Sequence, residues 1–195
     1  MKKKIAIFGG TFDPIHFGHI NLAIQLKELF KFDVVLFCPA YCSPFKEANP
    51  PSIAALDRLI MVDQAIRDIE GFKALDLEIK RKGVSYTIDT IRELIKKYGH
   101  DVNFFLLMSK KTGKSFFQWK GSKEIIKIST PIVGGSWKGE KKEFISLGFK
   151  EKFLVDTMQM DISSTYVRNR LKKKLYCNHL LPLNLVDFIN KNGLY

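Results

Sequence analysis

The first patterned segment of the chain is short. Ile5-Ala6-Ile7-Phe8 lies between a lysine run and Gly9-Gly10, and an unbroken apolar run bounded in this way predicts a strand buried on both faces. Ile20, Ala23, Ile24, Leu26, Leu29 and Phe30 then recur at helical spacing. Val34–Cys38 predicts a second strand, stopped by Pro39, and a loop rich in Pro, Ser and Asn runs on to Pro51. Leu56, Leu59, Ile60, Val62, Ala65 and Ile66 mark another helix, and Phe72–Ile79 alternates as a strand would. Thr87–Tyr98 predicts a helix closed by Gly99 in the usual C-terminal position. Val102–Met108 is strongly apolar and predicts a strand. A short helix around Phe116–Ile126, strands at Pro131–Val133 and Lys152–Val155, and helices near Ser164–Lys174 and Leu183–Asn190 complete the pattern.

Strands alternating with helices predict βαβ units and a parallel sheet with covered faces. The expected fold class is α/β: a Rossmann-like, doubly wound, mostly parallel sheet with helices on both faces. One domain is expected over residues 1–195, with a small C-terminal helical part from about 163. Sheets of this kind bind ligands beyond the carboxyl ends of their strands, near the reversal in strand order. The loop after the first strand is therefore the first place to look for chemistry.

Composition narrows the classes of partner. The chain carries a formal charge of +12, which favours anionic ligands such as phosphorylated small molecules, nucleic acid or a membrane surface. Its lysines are scattered, and the short runs at Lys2–Lys4 and Lys172–Lys174 are not nucleic-acid tails. The cysteines, Cys38, Cys42 and Cys177, are odd in number and irregular in spacing, against a disulfide framework and for a reducing compartment. With His179 they form no zinc pattern. The N-terminal apolar run is too short for a signal peptide, and no stretch approaches the roughly 20 apolar residues of a membrane span. A cytoplasmic protein is expected, without a membrane partner.

The loop reads Gly9-Gly10-Thr11-Phe12-Asp13-Pro14-Ile15-His16-Phe17-Gly18-His19. Glycines 9 and 10 let backbone N–H groups approach a phosphate chain. The helix that follows presents its unpaired N–H groups and the positive end of its dipole. His16 and His19, three residues apart, fall on one side of its first turn, where they can donate to phosphate oxygens as charge develops. Gly18 between them leaves room for a triphosphate. The dinucleotide fingerprint Gly-x-Gly-x-x-Gly is absent, and Gly113-Lys114-Ser115 only imitates the end of a P-loop.

With these residues in view, the segment from Gly9 to His19 resembles the signature of the nucleotidylyltransferase superfamily, with its His-x-Gly-His element. A second signature of that family is matched by Ile162-Ser163-Ser164-Thr165-Tyr166-Val167-Arg168. The resemblance implies an ATP site built from Gly9, Gly10, Thr11, Phe12, His16, Gly18, His19, Ser163, Ser164, Thr165 and Arg168. Ser163 or Ser164 would cap a helix, and Arg168 would offer a fixed charge to the leaving pyrophosphate.

Further segments resemble the nicotinate mononucleotide adenylyltransferases. Ser85-Tyr86-Thr87-Ile88-Asp89-Thr90 is similar to that branch's Ser-Tyr-Thr-x-Asp-Thr, and Phe116-Phe117-Gln118-Trp119 to an aromatic segment that stacks on a pyridine ring. Pro44-Phe45-Lys46 resembles a Pro-His-Lys loop whose lysine reaches phosphates. Arg58 and Met61 sit in the matching helix, and Leu194-Tyr195 in the matching C-terminal segment. The acceptor-binding residues implied are Tyr86, Thr87, Trp119 and Lys46, and the catalytic group is His16, His19, Lys46 and Arg168. Three positions depart from the pattern. Either Lys110 or Lys111 stands where the family carries an acid near the adenosine ribose, Phe45 replaces a histidine, and Gly135-Ser136-Trp137 replaces a basic residue.

The expected reaction is transfer of AMP from ATP to nicotinate mononucleotide, giving deamido-NAD and pyrophosphate. Mg²⁺ would accompany ATP with few protein ligands, so no metal site of the protein's own is expected. The alternatives are the same chemistry on nicotinamide mononucleotide or phosphopantetheine, a cytidylyl reaction, or a catalytically lapsed nucleotide- or RNA-binding protein. No nucleic-acid partner is expected under the first reading, and a homo-oligomer stays open.

Overall fold

A computed structural model describes residues 2–45, 50–99 and 101–195. Six strands form one sheet: β1 (Lys3–Gly10), β2 (Val34–Pro39), β3 (Phe72–Ala74), β4 (Val102–Ser109), β5 (Thr130–Gly135) and β6 (Leu154–Asp156). Their order is β3-β2-β1-β4-β5-β6, so the direction of addition reverses at β1. The β1–β4, β4–β5 and β5–β6 pairings are parallel. This is the doubly wound Rossmann-like arrangement, and the loop leaving β1 stands at its switch point. The helices among the described residues are α1 (Phe17–Phe30), α2 (Ala55–Ile66), α3 (Leu77–Arg81), α4 (Thr87–Tyr98), α5 (Lys110–Gly113), α6 (Ser122–Ile128), α7 (Lys141–Ser146), α8 (Ser164–Lys172) and α9 (Leu183–Lys191).

The chain divides into two compact units, each assembled from three segments. The first holds Met1–Gly9, Leu22–Val35 and Tyr86–Gln159. Its sheet core follows from sequence: Ile5, Ile7, Leu106, Leu107, Ile132 and Val133 are all at most 1% exposed, as residues of a sheet covered on both faces must be. The register sets Ile5 beside Phe104 and Ile7 beside Leu106. Amphipathic α4 buries Ile88, Thr90, Ile91 and Leu94. The second unit holds Gly10–Asn21, Leu36–Ser85 and Met160–Tyr195. There α2 buries Arg58, Met61, Val62, Ala65 and Ile66, and α9 packs on it with Leu185, Val186 and Ile189 buried.

Two elements differ from the sequence pattern. The alternating segment Phe72–Ile79 is a strand only as far as Ala74. Leu75 N–H still donates to Phe37 O at 2.8 Å. Asp76 (φ −96°, ψ 4°) then turns the chain into α3. The buried residues are Phe72, Leu75 and Glu78, a spacing of three that belongs to a helical turn rather than to a pleat. The expected helix around Phe116–Ile126 is broken: a 3-10 turn covers Phe116–Gln118, and Gly121, at φ 71°, starts α6. A side chain at Gly121 would also press on Ile88, 3.1 Å away. Helices α5 and α7 went unmarked because α7 buries only Phe144 and α5 only Gly113. That glycine opens the Gly-Lys-Ser triplet and lies against Val133 and Phe144, a packing position.

Candidate active site

The loop from Gly10 to His16 is held by its carbonyl oxygens. Gly10 O accepts from Ala40 N–H at 2.9 Å. Thr11 O accepts from Arg58 Nη1 at 2.6 Å, Asp13 O from Arg168 Nη1 at 2.7 Å, and Pro14 O from Ser164 Oγ at 2.9 Å. A carbonyl facing a phosphate repels it, and here four loop carbonyls are occupied by donors of the protein itself. Phe12 takes a left-handed conformation, φ 50°, which is costly for an aromatic residue and persists only where packing fixes it. Its ring is 2% exposed, lies edge-on to His19 at 5.2 Å and packs on Phe37 at 5.9 Å. Gly10 permits this, since a methyl group there would lie 2.9 Å from the Phe12 ring. Gly9 has open space where a side chain would be.

The two imidazoles lie together. Their centroids are 3.8 Å apart and the planes 28° from parallel. His16 N–H donates to His19 Nδ1 at 3.3 Å. An Nδ1 that accepts carries no proton, so the neutral ring of His19 bears its hydrogen on Nε2. His16 is 5% exposed, and burial pulls its pKa down to about 4, because a buried imidazolium loses its hydration. It is neutral near pH 7. Its Nδ1 is buried and has no hydrogen-bond partner among the described residues. Gly18 sits against this ring: a methyl group there would lie 3.0 Å from His16 Nδ1 and 3.4 Å from Met160 O. The bare glycine thus makes room for the imidazole. Phe17 N–H, first in α1, is taken by Leu180 O at 3.0 Å.

Helix α8 brings the second signature to the same unit. Ser163 is its N-cap, and the side chain accepts from Tyr166 N–H at 3.2 Å. Ser164 reaches the loop at Pro14, as described above. Arg168 holds Asp13 O, lies 3.7 Å from the Asp13 carboxylate, and also reaches Thr165 Oγ1 at 3.3 Å. Ten of the eleven ATP residues expected from sequence, Gly10 through Arg168, fall in the second unit, and Gly9 is the last residue of the first unit's opening segment.

Tyr86, Thr87 and Trp119 belong to the first unit. Tyr86 is the N-cap residue of α4 and Thr87 its first residue. Trp119 is half-buried, edge-on to Phe116 at 5.5 Å, with its Nε1–H 3.4 Å from Ser115 Oγ. Lys120 stands over the Tyr86 ring at 4.1 Å, in cation–π range. Lys46 lies outside the described residues.

The departures from the expected pattern are explained in part. Lys110 donates to Ser136 O at 2.8 Å, pairs with Glu140 and lies over the Trp137 ring at 5.6 Å. Trp137 is 3% exposed and donates to Val155 O at 2.8 Å, so it is a core residue. Lys111 is exposed, and Phe45 is 59% exposed.

Sequence reasoning named Arg58, Asp13 and Tyr195 but gave none of these side chains its role in organising the loop. Arg58 is 1% exposed and donates to Ile53 O at 3.2 Å and Tyr41 O at 3.1 Å as well as to Thr11 O. Burial pulls its pKa down, and the charge of Asp13 opposes that shift. Asp13 is 5% exposed, and its carboxylate accepts from Ser52 N–H at 2.8 Å and from Tyr195 OH at 2.7 Å. The available signals were an arginine inside the apolar stripe of α2 and an acid within the glycine-histidine loop.

A doubly wound sheet with a glycine-led loop, paired imidazoles at a helix start and a capped second helix defines a nucleotide-handling α/β protein. A model of the cytidylyltransferase-like family matches residues 7–170. The chain belongs to that family. It is 36% identical over 196 residues to a protein of Dictyoglomus thermophilum named probable nicotinate-nucleotide adenylyltransferase, covering 98% of this chain and 99% of that one. A protein of Halalkalibacterium halodurans with the same name is 37% identical over 198 residues, covering 99% and 91%. Among solved structures, Plasmodium falciparum nicotinic acid mononucleotide adenylyltransferase complexed with NaAD has the same fold, with a TM-score of 0.77, 19% identity and coverage of 99% and 97%. No helix among the described residues is long and apolar enough to cross a membrane.

Proposed function

We propose that this protein transfers AMP from ATP to nicotinate mononucleotide, releasing pyrophosphate and forming deamido-NAD. The observation that carries the reading is the stacked pair His16 and His19, with a buried His16 Nδ1 that lacks a partner among the described residues. Buried polar atoms are nearly always bonded, so an unsatisfied one at a glycine-rich loop points to a missing ligand. The names borne by the bacterial relatives support the acceptor.

In the reaction an oxygen of the acceptor phosphate attacks the α-phosphorus of ATP, and the bond to the β-phosphate oxygen breaks. No side-chain nucleophile is needed, since positioning and charge stabilisation carry such transfers. His19, with hydrogen on Nε2, donates to a phosphate oxygen where charge builds up. His16 adds a second neutral contact. Gly9 and Gly10 give the backbone access to the phosphate chain. Thr11, Phe12 and Gly18 shape the loop, Ser163, Ser164 and Thr165 form the mouth of α8, and Arg168 offers its charge to the departing pyrophosphate. Lys46 contributes from the loop after β2. Tyr86 and Thr87, at the N-terminus of α4, suit a carboxylate, and Trp119 offers a ring face to the pyridine.

Mg²⁺ enters with ATP as part of the substrate, held by phosphate oxygens and water. Among the described residues no group of three or more His, Cys, Asp or Glu side chains could hold a metal, and both Asp13 oxygens are already bonded to Tyr195 and Ser52. We propose a cytoplasmic setting for this reaction, in keeping with the free cysteines Cys38, Cys42 and Cys177.

Pyrophosphate release is to be measured with MgATP and, in parallel, nicotinate mononucleotide, nicotinamide mononucleotide and phosphopantetheine. Release should be fastest with nicotinate mononucleotide. A faster rate with another acceptor would reassign the substrate, and no release with any of them would end the enzyme reading.

A further inference from the structure

The geometry assigns Tyr195 as a positioning residue of the phosphate site, acting on Arg168 through the carboxylate of Asp13. The assignment rests on the ATP site proposed above and deepens it.

Asp13 is the junction. Its carboxylate is buried, and each oxygen has one neutral donor: Tyr195 OH on Oδ1 at 2.7 Å and Ser52 N–H on Oδ2 at 2.8 Å. Arg168 Nη1 approaches Oδ2 only to 3.7 Å and makes its close bond, 2.7 Å, to the Asp13 carbonyl instead. A buried carboxylate seeks further donors until its lone pairs are filled. The two short, uncharged hydrogen bonds hold the carboxylate in an orientation that leaves the guanidinium 3.7 Å away. Arg168 is anchored by Nη1 on the Asp13 carbonyl and by Nη2 on Thr165 Oγ1, both neutral acceptors, and its charge, only partly compensated by the carboxylate at 3.7 Å, remains available to an anion.

Tyr195 is built to remain a donor. Its hydroxyl is buried beside Asp13, and both burial and that negative charge push its pKa well above the usual phenol value. The oxygen also lies 4.0 Å from Met61 Sδ. The residue takes a left-handed conformation, φ 67°, which a tyrosine adopts only where contacts hold it. Removing the single oxygen atom in Tyr195→Phe leaves Asp13 Oδ1 without its donor. Arg168, whose guanidinium already lies 3.7 Å from the other oxygen of this carboxylate, would then move to replace the donor, form a closed ion pair and lose its reach toward phosphate.

The test compares wild type, Tyr195→Phe, Arg168→Lys and the double variant. ATP binding is measured by titration calorimetry without acceptor, pyrophosphate release is measured with it, and melting temperature is the control. Tyr195→Phe should weaken ATP binding about tenfold while the KM for the acceptor and the melting temperature stay near wild type. In the Arg168→Lys background the same change should have little further effect, because the residue through which Tyr195 acts is already altered. ATP binding within twofold of wild type in Tyr195→Phe would overturn the assignment. So would losses that add fully in the double variant, or losses that follow a drop in melting temperature. Calorimetric binding by a wild-type protein that releases no pyrophosphate would reject the proposed reaction and leave the Tyr195 comparison readable.

Discussion

The backbone N–H of His16 donates to Nδ1 of His19 at 3.3 Å, so one histidine's main chain sets the other's tautomer. The proton of His19 is thereby placed on Nε2, the nitrogen away from the backbone. A glutamine amide nitrogen can occupy roughly the Nε2 position, and an asparagine nitrogen roughly that of Nδ1. His19→Gln should therefore retain about tenfold more turnover than His19→Asn, while His19→Ala should lose about 10²–10³-fold. Single-turnover pyrophosphate release on folded variants checks the ranking, and equal rates for Gln and Asn would contradict the tautomer assignment.

His16 predicts a pH dependence of stability. Burial holds its pKa in the folded protein at about 4, against about 6.5 for a free imidazole. The unfolded chain therefore binds the proton more readily, and acid favours unfolding. This contribution is full above about pH 6.5 and is lost as pH falls toward 4; the shift corresponds to roughly 3 kcal/mol. Urea unfolding of wild type and His16→Gln at pH 7 and pH 4.5 measures it. The variant should lose clearly less stability on acidification than the wild type.

Gly18→Ala separates helix propensity from site geometry. Alanine is worth about 0.5–1 kcal/mol more than glycine within a helix. The added methyl would lie 3.0 Å from His16 Nδ1 and 3.1 Å from Cε1, and a ring 5% exposed has little room to retreat. Melting temperature should change by only a few degrees, while turnover falls about tenfold or more through the displaced imidazole. A variant with wild-type turnover would show that the ring's position is not critical.

Arg58→Lys tests the scaffold of the loop. The guanidinium serves Thr11 O, Tyr41 O and Ile53 O at once, and an ammonium group cannot span three carbonyls in a fixed plane. Unbonded buried carbonyls should lower stability by about 2–4 kcal/mol, read as a reduced urea midpoint. Turnover should fall as well, since Thr11 begins the loop that carries the histidines.

Much of the fold was legible because buried parallel strands write themselves as unbroken apolar runs, as at Ile5–Phe8 and Val102–Met108. The parallel, doubly wound character of the sheet was implied by the alternation of strands with helices, while the order of its strands was not. Phe72–Ile79 misled because three apolar residues at alternate positions fit a pleat, whereas the burial of Phe72, Leu75 and Glu78 belongs to a turn. The histidines and Gly18 stood out by their spacing at the start of α1, and Ser163 by its place in the segment that resembles the second family signature. The coupling of Arg58, Asp13 and Tyr195 could not. Their partners lie up to 182 residues away along the chain, and a hydrogen bond to a main-chain carbonyl leaves no mark on the identity of the residue that accepts it.

Lys110 appears from sequence as a reversal of charge. Its ammonium group is nevertheless neutralised by Glu140 and shielded by Trp137. An acid at position 110 while Glu140 remains would set two negative groups side by side. The sign of residue 110 is therefore tied to that of residue 140, and a change at one without the other leaves repelling neighbours.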